Sequence, residues 1–155
     1  MSITIDTIIN AAKQRDEIHK NHKTSRPLSK DYQLIGLSGE LAFSVFSGIE
    51  VNMTLSPGGD KGIDFVLPNG KTVDVKTAKK AFYLIHEASK ALRADIYVLA
   101  QYNENTKVSE LIGWTTREVF LKSPSKDFGY GIVNHYIKST ELNKMSELKI
   151  SKHEN

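Results

Sequence analysis

The stretch from Gly62 to Lys76 constrains the fold of this chain more than any other, because it specifies a β-hairpin. Apolar and polar residues alternate on both sides of the triplet Pro68-Asn69-Gly70. This triplet is typical of a three-residue hairpin loop, in which proline presets the first turn dihedral and glycine accepts a positive φ. The stretch therefore predicts two antiparallel strands joined by this loop.

The loop length also predicts which residues of the two strands face each other. With three residues in the loop, Phe65 lies opposite Val73 and the apolar side chains share one face. Asp64 then lies opposite Asp74 on the other face, beside Lys76, since residues two apart on a strand point to the same side. Opposed carboxylates destabilise a sheet by up to about 1 kcal/mol, and a cation would offset this cost. The cation is either a divalent metal or a neighbouring lysine, and the hairpin alone leaves both open.

The absence of cysteine limits the chemistry of any metal site. Thiolate metal sites, disulfides and cysteine nucleophiles are excluded, so a metal has to be held by oxygen or imidazole ligands. Mg²⁺ prefers carboxylates together with waters and phosphate oxygens, and it can activate water for attack on a phosphodiester. Lys76 adds a point charge that could contact the scissile phosphate or orient that water.

The rest of the sequence predicts one α/β domain over residues 1–150. Its composition, 39% hydrophobic and 25% charged in 155 residues, is that of a single globular domain. Helical periodicity predicts amphipathic helices at residues 6–22 and about 29–46, and the almost continuously apolar run 96–102 is typical of a central strand buried on both faces. Further elements are predicted as follows: a strand, favoured over a helix, at 82–87; a strand at 111–115; a short helix through Phe120 behind a Thr115 and Glu118 capping box; a strand at 132–137; a helix beyond Ser139; and a disordered tail at 151–155.

Charge and hydropathy place few limits on the partners. The net charge of +3 gives a weak preference for polyanions that many ordinary enzymes share. Lys79 and Lys80 follow the hairpin and could line a phosphate path, although a solvated strand end explains them equally well. No apolar run approaches the roughly 20 residues that span a bilayer, and the first residues do not form a signal peptide. We therefore expect a cytoplasmic protein that does not interact with membranes.

Four motifs follow one another along the chain: Gly39-Glu40 on the second predicted helix, Gly62-Ile63-Asp64, the Pro68-Asn69-Gly70 turn and Asp74-Val75-Lys76. Over residues 34–102 this order resembles the PD-(D/E)XK nuclease superfamily, which includes restriction endonucleases, junction resolvases and phage nucleases. The segment after Leu111, with Gly113-Trp114, is similar to uncharacterised phage members. Two positions depart from the family pattern, because Ile63 stands where proline precedes the first acid and the triplet begins with aspartate instead of glutamate.

The resemblance implies a restriction-endonuclease-like fold, with a mixed central β-sheet flanked by helices, and a metal-dependent nuclease that hydrolyses phosphodiester bonds of DNA. Asp64, Asp74 and Glu40 would bind Mg²⁺, for which Mn²⁺ can substitute, and Lys76 would be the catalytic lysine. Gln101 would add a polar residue to the same site. DNA is then the expected partner and no organic cofactor is expected. A phage-encoded protein would act in the host cytoplasm, and a homodimer is left open.

Two other functions are compatible with the same residues. A noncatalytic nucleic-acid-binding or interaction module could retain the nuclease fold, because a fold does not determine an activity. A Holliday-junction-type resolvase would use the same acids and lysine on a branched substrate. The presence of all four of Glu40, Asp64, Asp74 and Lys76 favours an enzyme over the binding module.

Overall fold

The computed structural model describes residues 32–51 and 63–150. The predicted helix at 6–22, the start of the second predicted helix, the loop before the hairpin and the predicted tail at 151–155 lie outside the described residues. The elements follow in the order α1 (Tyr32–Ser47), β1 (Phe65–Val66), β2 (Thr72–Ala78), β3 (Tyr83–Glu87), β4 (Ile96–Asn103), β5 (Val108–Thr116), α2 (Arg117–Leu121), β6 (Ser125–Asp127) and β7 (Val133–Lys138). Two 3₁₀ turns, Ser139–Glu141 and Met145–Glu147, end the described part.

The strands form two sheets, so the described part of the chain is mixed α/β as predicted. The first sheet has the order β1-β2-β4-β5, and it is mixed because β2 and β4 run parallel while the other pairs are antiparallel. The second sheet is antiparallel, with the order β3-β7-β6. One central sheet with helices on both sides was expected. Instead, within residues 32–51 and 63–150, α1 packs on one face of the first sheet, and the second sheet packs with α2 on the other.

Alternation along β2 and β4 divides the interior into two cores. One face of each strand carries apolar residues that pack with α1: Val73, Val75, Ile96, Val98 and Ala100 join Leu37 and Phe43. On the other face of β4, Tyr97 and Leu99 pack with Leu84, Phe120 and Ile137 from the second sheet and α2. Strand β4 is therefore central and buried on both faces, which its apolar run predicted.

The hairpin has the predicted turn and the predicted register near the turn. Phe65 pairs with Val73, and the Leu67 amide donates to the Lys71 carbonyl at 2.8 Å. Gly70 has a φ of +89°, the left-handed conformation that the three-residue loop requires at this position. Local turn chemistry was thus sufficient to align the two strands.

Three predictions beyond the hairpin are wrong in detail. The N-cap of α2 is Thr116, whose side chain accepts from the Val119 amide, because Thr115 is buried within β5. The helix expected beyond Ser139 is absent from the described residues, since the backbone of Asn143 pairs with Trp114 and holds the chain extended between the two 3₁₀ turns. Strand β6 was missed because its three residues are exposed and show no apolar alternation.

Helix α1 lies close to β2 at Gly39. A Cβ atom at Gly39 would overlap Thr77 Oγ1 and would lie 3.0 Å from Thr77 Cβ, whereas a Cβ at Gly36 would meet nothing within 4 Å. Thr77 Oγ1 is buried and makes no hydrogen bond with the described residues. The absence of a side chain at Gly39 therefore determines how closely the helix approaches the strand.

Two glycine substitutions on the same helix test this contact. Gly39→Ala should destabilise the protein by about 1–3 kcal/mol through overpacking. Gly36→Ala is the matched control and should be neutral or stabilising by up to about 1 kcal/mol, because alanine favours the helix. Adding Thr77→Ala to Gly39→Ala should recover part of the loss. Urea unfolding measures all three, and equal effects of the two glycine substitutions would contradict the close contact.

Candidate functional site at the edge of strand β2

The first predicted acid, Asp64, comes immediately before β1 and lies just outside its paired residues. The paired residues of β1 are Phe65 and Val66 alone, so the predicted cross-strand pairing of Asp64 with Asp74 is wrong. The Asp64 amide donates to the carbonyl of Val73 at 2.8 Å, although Val73 is already the partner of Phe65. This offset is typical of a β-bulge, which redirects a side chain at the end of a ladder.

The redirected Asp64 side chain takes the place of the missing β1 backbone. Its Oδ2 accepts a hydrogen bond from the Val75 amide at 2.7 Å. The Cα atom of Asp74 is two covalent bonds from that amide nitrogen, so Asp64 Oδ2 lies within about 5.5 Å of Asp74 Cα. The two acids are therefore neighbours at the edge of β2, by a different geometry from the one the alternation predicted.

The second acid and the lysine form an ion pair on the same strand. Lys76 Nζ lies 3.2 Å from Asp74 Oδ2, and the two side chains are 29% and 13% exposed. No hydrogen bond from the described residues reaches Asp74 Oδ1. Lys76 Nζ also lies 5.8 Å from the centre of the Tyr97 ring, which contributes a cation–π contact. The ammonium group is thus held between a carboxylate and an aromatic face, with part of its surface open to solvent.

His86 also lies near Tyr97 and Lys76, although nothing in the sequence indicated that it belongs to this site. The ring packs against Tyr97 and Phe120, and Nε2 donates to the Lys90 carbonyl at 3.2 Å. Burial, and next the positive charge of Lys76, lower the pKa of His86 from its ordinary value. Burial also raises the pKa of Tyr97. His86 lies on β3, which pairs with the distant β7, and no local pattern predicts that pairing.

The three weaker candidates lie at the end of β2. Gln101 pairs with Ala78, which places it on the same face of the sheet as Asp74. Its Oε1 accepts from the Ala81 amide at 3.2 Å and so stabilises the turn after β2. Lys79 forms an ion pair with Glu104 at 2.8 Å and thereby lowers the pKa of Glu104.

Lys80, the next residue after Lys79, is exposed. Contact of these three residues with nucleic acid stays a prediction.

Glu40 lies on α1, which packs on the other face of the first sheet. It is 6% exposed on α1, and the neighbouring Gly39 packs against Thr77 on the helix side of the strand. Asp74 and Lys76 point to the opposite side, since they alternate with Thr77. Within the described ranges, no group of three or more His, Cys, Asp or Glu side chains could hold a metal ion. The structure thus brings Asp64, Asp74 and Lys76 together, and the part of Glu40 stays a prediction.

Comparison of this chain with known proteins did not identify a related protein. A scan against protein-family models, a search of curated proteins and a search of solved structures each found no match. No helix of residues 32–51 and 63–150 has the length and apolar character needed to cross a membrane.

The Asp64 carboxylate should stabilise the fold through the Val75 amide. Asp64→Ala removes the acceptor and should cost about 1.5–3 kcal/mol, the usual range for a hydrogen bond to a charged group. Asp64→Asn keeps an oxygen acceptor and should cost less than about 1 kcal/mol. Glu110→Ala, at an exposed carboxylate on β5, is the control and should stay within about 0.5 kcal/mol. Urea unfolding with EDTA gives all three values, and equal costs for the two Asp64 variants would show that the bond contributes little.

The lowered pKa of His86 predicts a loss of stability in mild acid. Below the ordinary value of 6.5 the unfolded chain binds a proton at His86 that the folded protein still excludes. The free energy of unfolding therefore rises with pH in this window and falls as the pH drops from about 7 to about 5.5. His86→Gln, which can still donate to Lys90, should lose less stability over the same interval. Urea unfolding at several pH values tests this, and parallel profiles of the two proteins would refute it.

Proposed function

We propose that this protein is a Mg²⁺-dependent phosphodiesterase that hydrolyses DNA. The observation that supports it best is the grouping of two acids and a lysine at one edge of β2. Asp64 is anchored on the Val75 amide, and the adjacent Asp74 is paired with Lys76. The choice of DNA comes from the resemblance of the motifs to nucleases and from the mild positive charge of the chain.

The donor atoms at this edge suit a hard divalent cation. Carboxylate oxygens are what Mg²⁺ prefers, and it commonly takes one or two of them and completes its shell with waters and substrate phosphates. Asp64 and Asp74 are the residues that would hold it, and Glu40 would add a ligand if its side chain reaches the edge. A bound Mg²⁺ would supply charge neutralisation and a more acidic water.

In this proposal Lys76 changes its partner from the Asp74 carboxylate to a phosphate of the substrate. Its Nζ contacts Asp74 Oδ2 in the free protein, and 29% of its side chain is exposed. In the proposed reaction an arriving phosphate contacts the ammonium group and replaces the carboxylate as its partner. Asp74 would lose its neutralising neighbour at the moment when a cation becomes available to it.

Cleavage assays test the proposal directly. The purified protein is incubated with circular and linear duplex DNA, branched DNA, single-stranded DNA and RNA, in Mg²⁺, Mn²⁺ or EDTA. Lys76→Met and Asp74→Asn should lower metal-dependent cleavage by at least about 100-fold, as removal of a charge-stabilising group commonly does. Lys122→Ala, at an exposed lysine after α2, should cleave like the wild type. Wild-type rates in a folded Lys76→Met variant would exclude the lysine from the reaction.

Thermal melts separate metal binding from cleavage. Because a ligand that binds only the folded state stabilises it, excess Mn²⁺ should raise the melting temperature of the wild type. Asp74→Asn should respond less, while Glu110→Ala should respond like the wild type. Binding of DNA without cleavage, together with melts that do not respond to metal, would instead support the noncatalytic binding module.

A further inference from the structure

Three aromatic rings contact the ammonium group of one lysine on the outer face of the second sheet. Lys126 Nζ lies 5.3 Å from the centre of the Tyr83 ring, 4.6 Å from that of Phe128 and 5.1 Å from that of Tyr136. The rings also contact one another, with centres 5.4–5.8 Å apart and interplanar angles of 61°, 87° and 90°. The three rings are thus packed against one another on one side of the cation, and we call Tyr83, Phe128 and Tyr136 the aromatic cage.

The fold explains why these side chains meet. On the central strand β7, Tyr136 lies opposite Ile85 of β3, and Tyr83 is two residues from Ile85 and so shares its face of the sheet. Lys126 on β6 lies opposite Asn134, which is two residues from Tyr136 and shares the same face. The buried Leu84 and Ile137 alternate with the cage residues and point to the core. The cage therefore faces away from the core and does not share residues with the edge of β2.

The loop after β6 fixes the third ring of the cage. Asp127 Oδ1 accepts hydrogen bonds from the amides of Gly129, Tyr130 and Gly131, at 2.8, 3.0 and 3.1 Å. These bonds lower the pKa of Asp127, and both glycines have positive φ. The tight turn directs Phe128 back onto the two tyrosines, so the cage is preformed and a ligand would not have to order it.

Lys126 is a poor occupant for such a cage. An ammonium group is strongly hydrated, and aromatic cages bind it less well than they bind a quaternary ammonium group. No carboxylate of the described residues lies within 4 Å of Lys126, so the rings are its main partners. The residue is exposed on an edge strand, and its side chain can leave the cage without disturbing the core.

We infer that Tyr83, Phe128 and Tyr136 form a binding site for a quaternary or fully methylated ammonium group, and that Lys126 competes with this ligand from within the chain. The ligand would present a diffuse positive charge that the three ring faces attract without the hydration cost of a primary amine. Removal of Lys126 should then improve binding, which a merely structural cluster would not do.

Choline is the first probe, and 3,3-dimethylbutan-1-ol is its neutral counterpart of the same shape. Binding is followed through the aromatic NMR signals, because the single tryptophan would dominate fluorescence. The wild type should bind choline saturably, and Lys126→Ala should bind it at least about threefold more tightly. The neutral alcohol should bind neither protein. Equal binding of choline and the alcohol, or no choline binding by folded Lys126→Ala, would overturn the inference.

Ring variants distinguish the cage from a general apolar surface. Phe128→Leu keeps an apolar side chain in the loop outside the sheet and should weaken choline binding about tenfold, whereas Phe128→Trp should retain it. Tyr130→Ala is the control, because this tyrosine lies in the same loop, is 86% exposed and is not part of the cage. Equal affinities of Phe128→Leu and the wild type would contradict recognition by the ring faces.

Two further probes identify the source of the ammonium group. A peptide that contains trimethyllysine is compared with its unmodified form, and phosphocholine is compared with choline. Preference for the modified peptide over choline would assign the cage to a methylated protein segment, and preference for phosphocholine would assign it to a lipid head group. Each of these outcomes supports the site and is independent of any nuclease activity.

Discussion

The parallel pairing of β2 with β4 is the constraint on which the rest of the structure depends. It places Asp74 beside Tyr97 and Lys76 beside Leu99, while Val75 faces α1. Because side chains alternate along a strand, one strand supplies both the helix-side core and the charged pair on the opposite face. The second sheet has to cover the apolar part of that opposite face, and it leaves the charged part near the edge.

The ion pair between Asp74 and Lys76 is tolerated because it lies at a boundary and not in the centre of a core. A buried pair gains stability only if its groups keep hydrogen-bonding partners, and a fully buried one often contributes nothing. Here the lysine remains partly exposed and rests on an aromatic ring. The pair therefore meets solvent mainly through the lysine, while the Asp74 side chain is only 13% exposed.

The sequence predicted what local chemistry controls, and it failed where distant segments meet. The Pro68-Asn69-Gly70 loop and the apolar run 96–102 determine the hairpin register and the central strand, and both predictions are confirmed. The bulge at Asp64 was not predictable, because alternation alone would extend β1 by two residues. The second sheet and the place of His86 depend on pairing between β3 and β7, which are far apart in sequence.

The shortness of β1 has a consequence for the proposed function. Glu40 is on the helix side of β2 and Asp74 is on the other side, so a ligand shared by both has to lie at the strand edge. A longer β1 would cover that edge with backbone and satisfy the Val75 amide by a ladder hydrogen bond. Because β1 begins only at Phe65, the Asp64 carboxylate satisfies this amide instead of a backbone carbonyl. The shortness of β1 thus replaces a backbone partner of β2 with a carboxylate that lies close to Asp74.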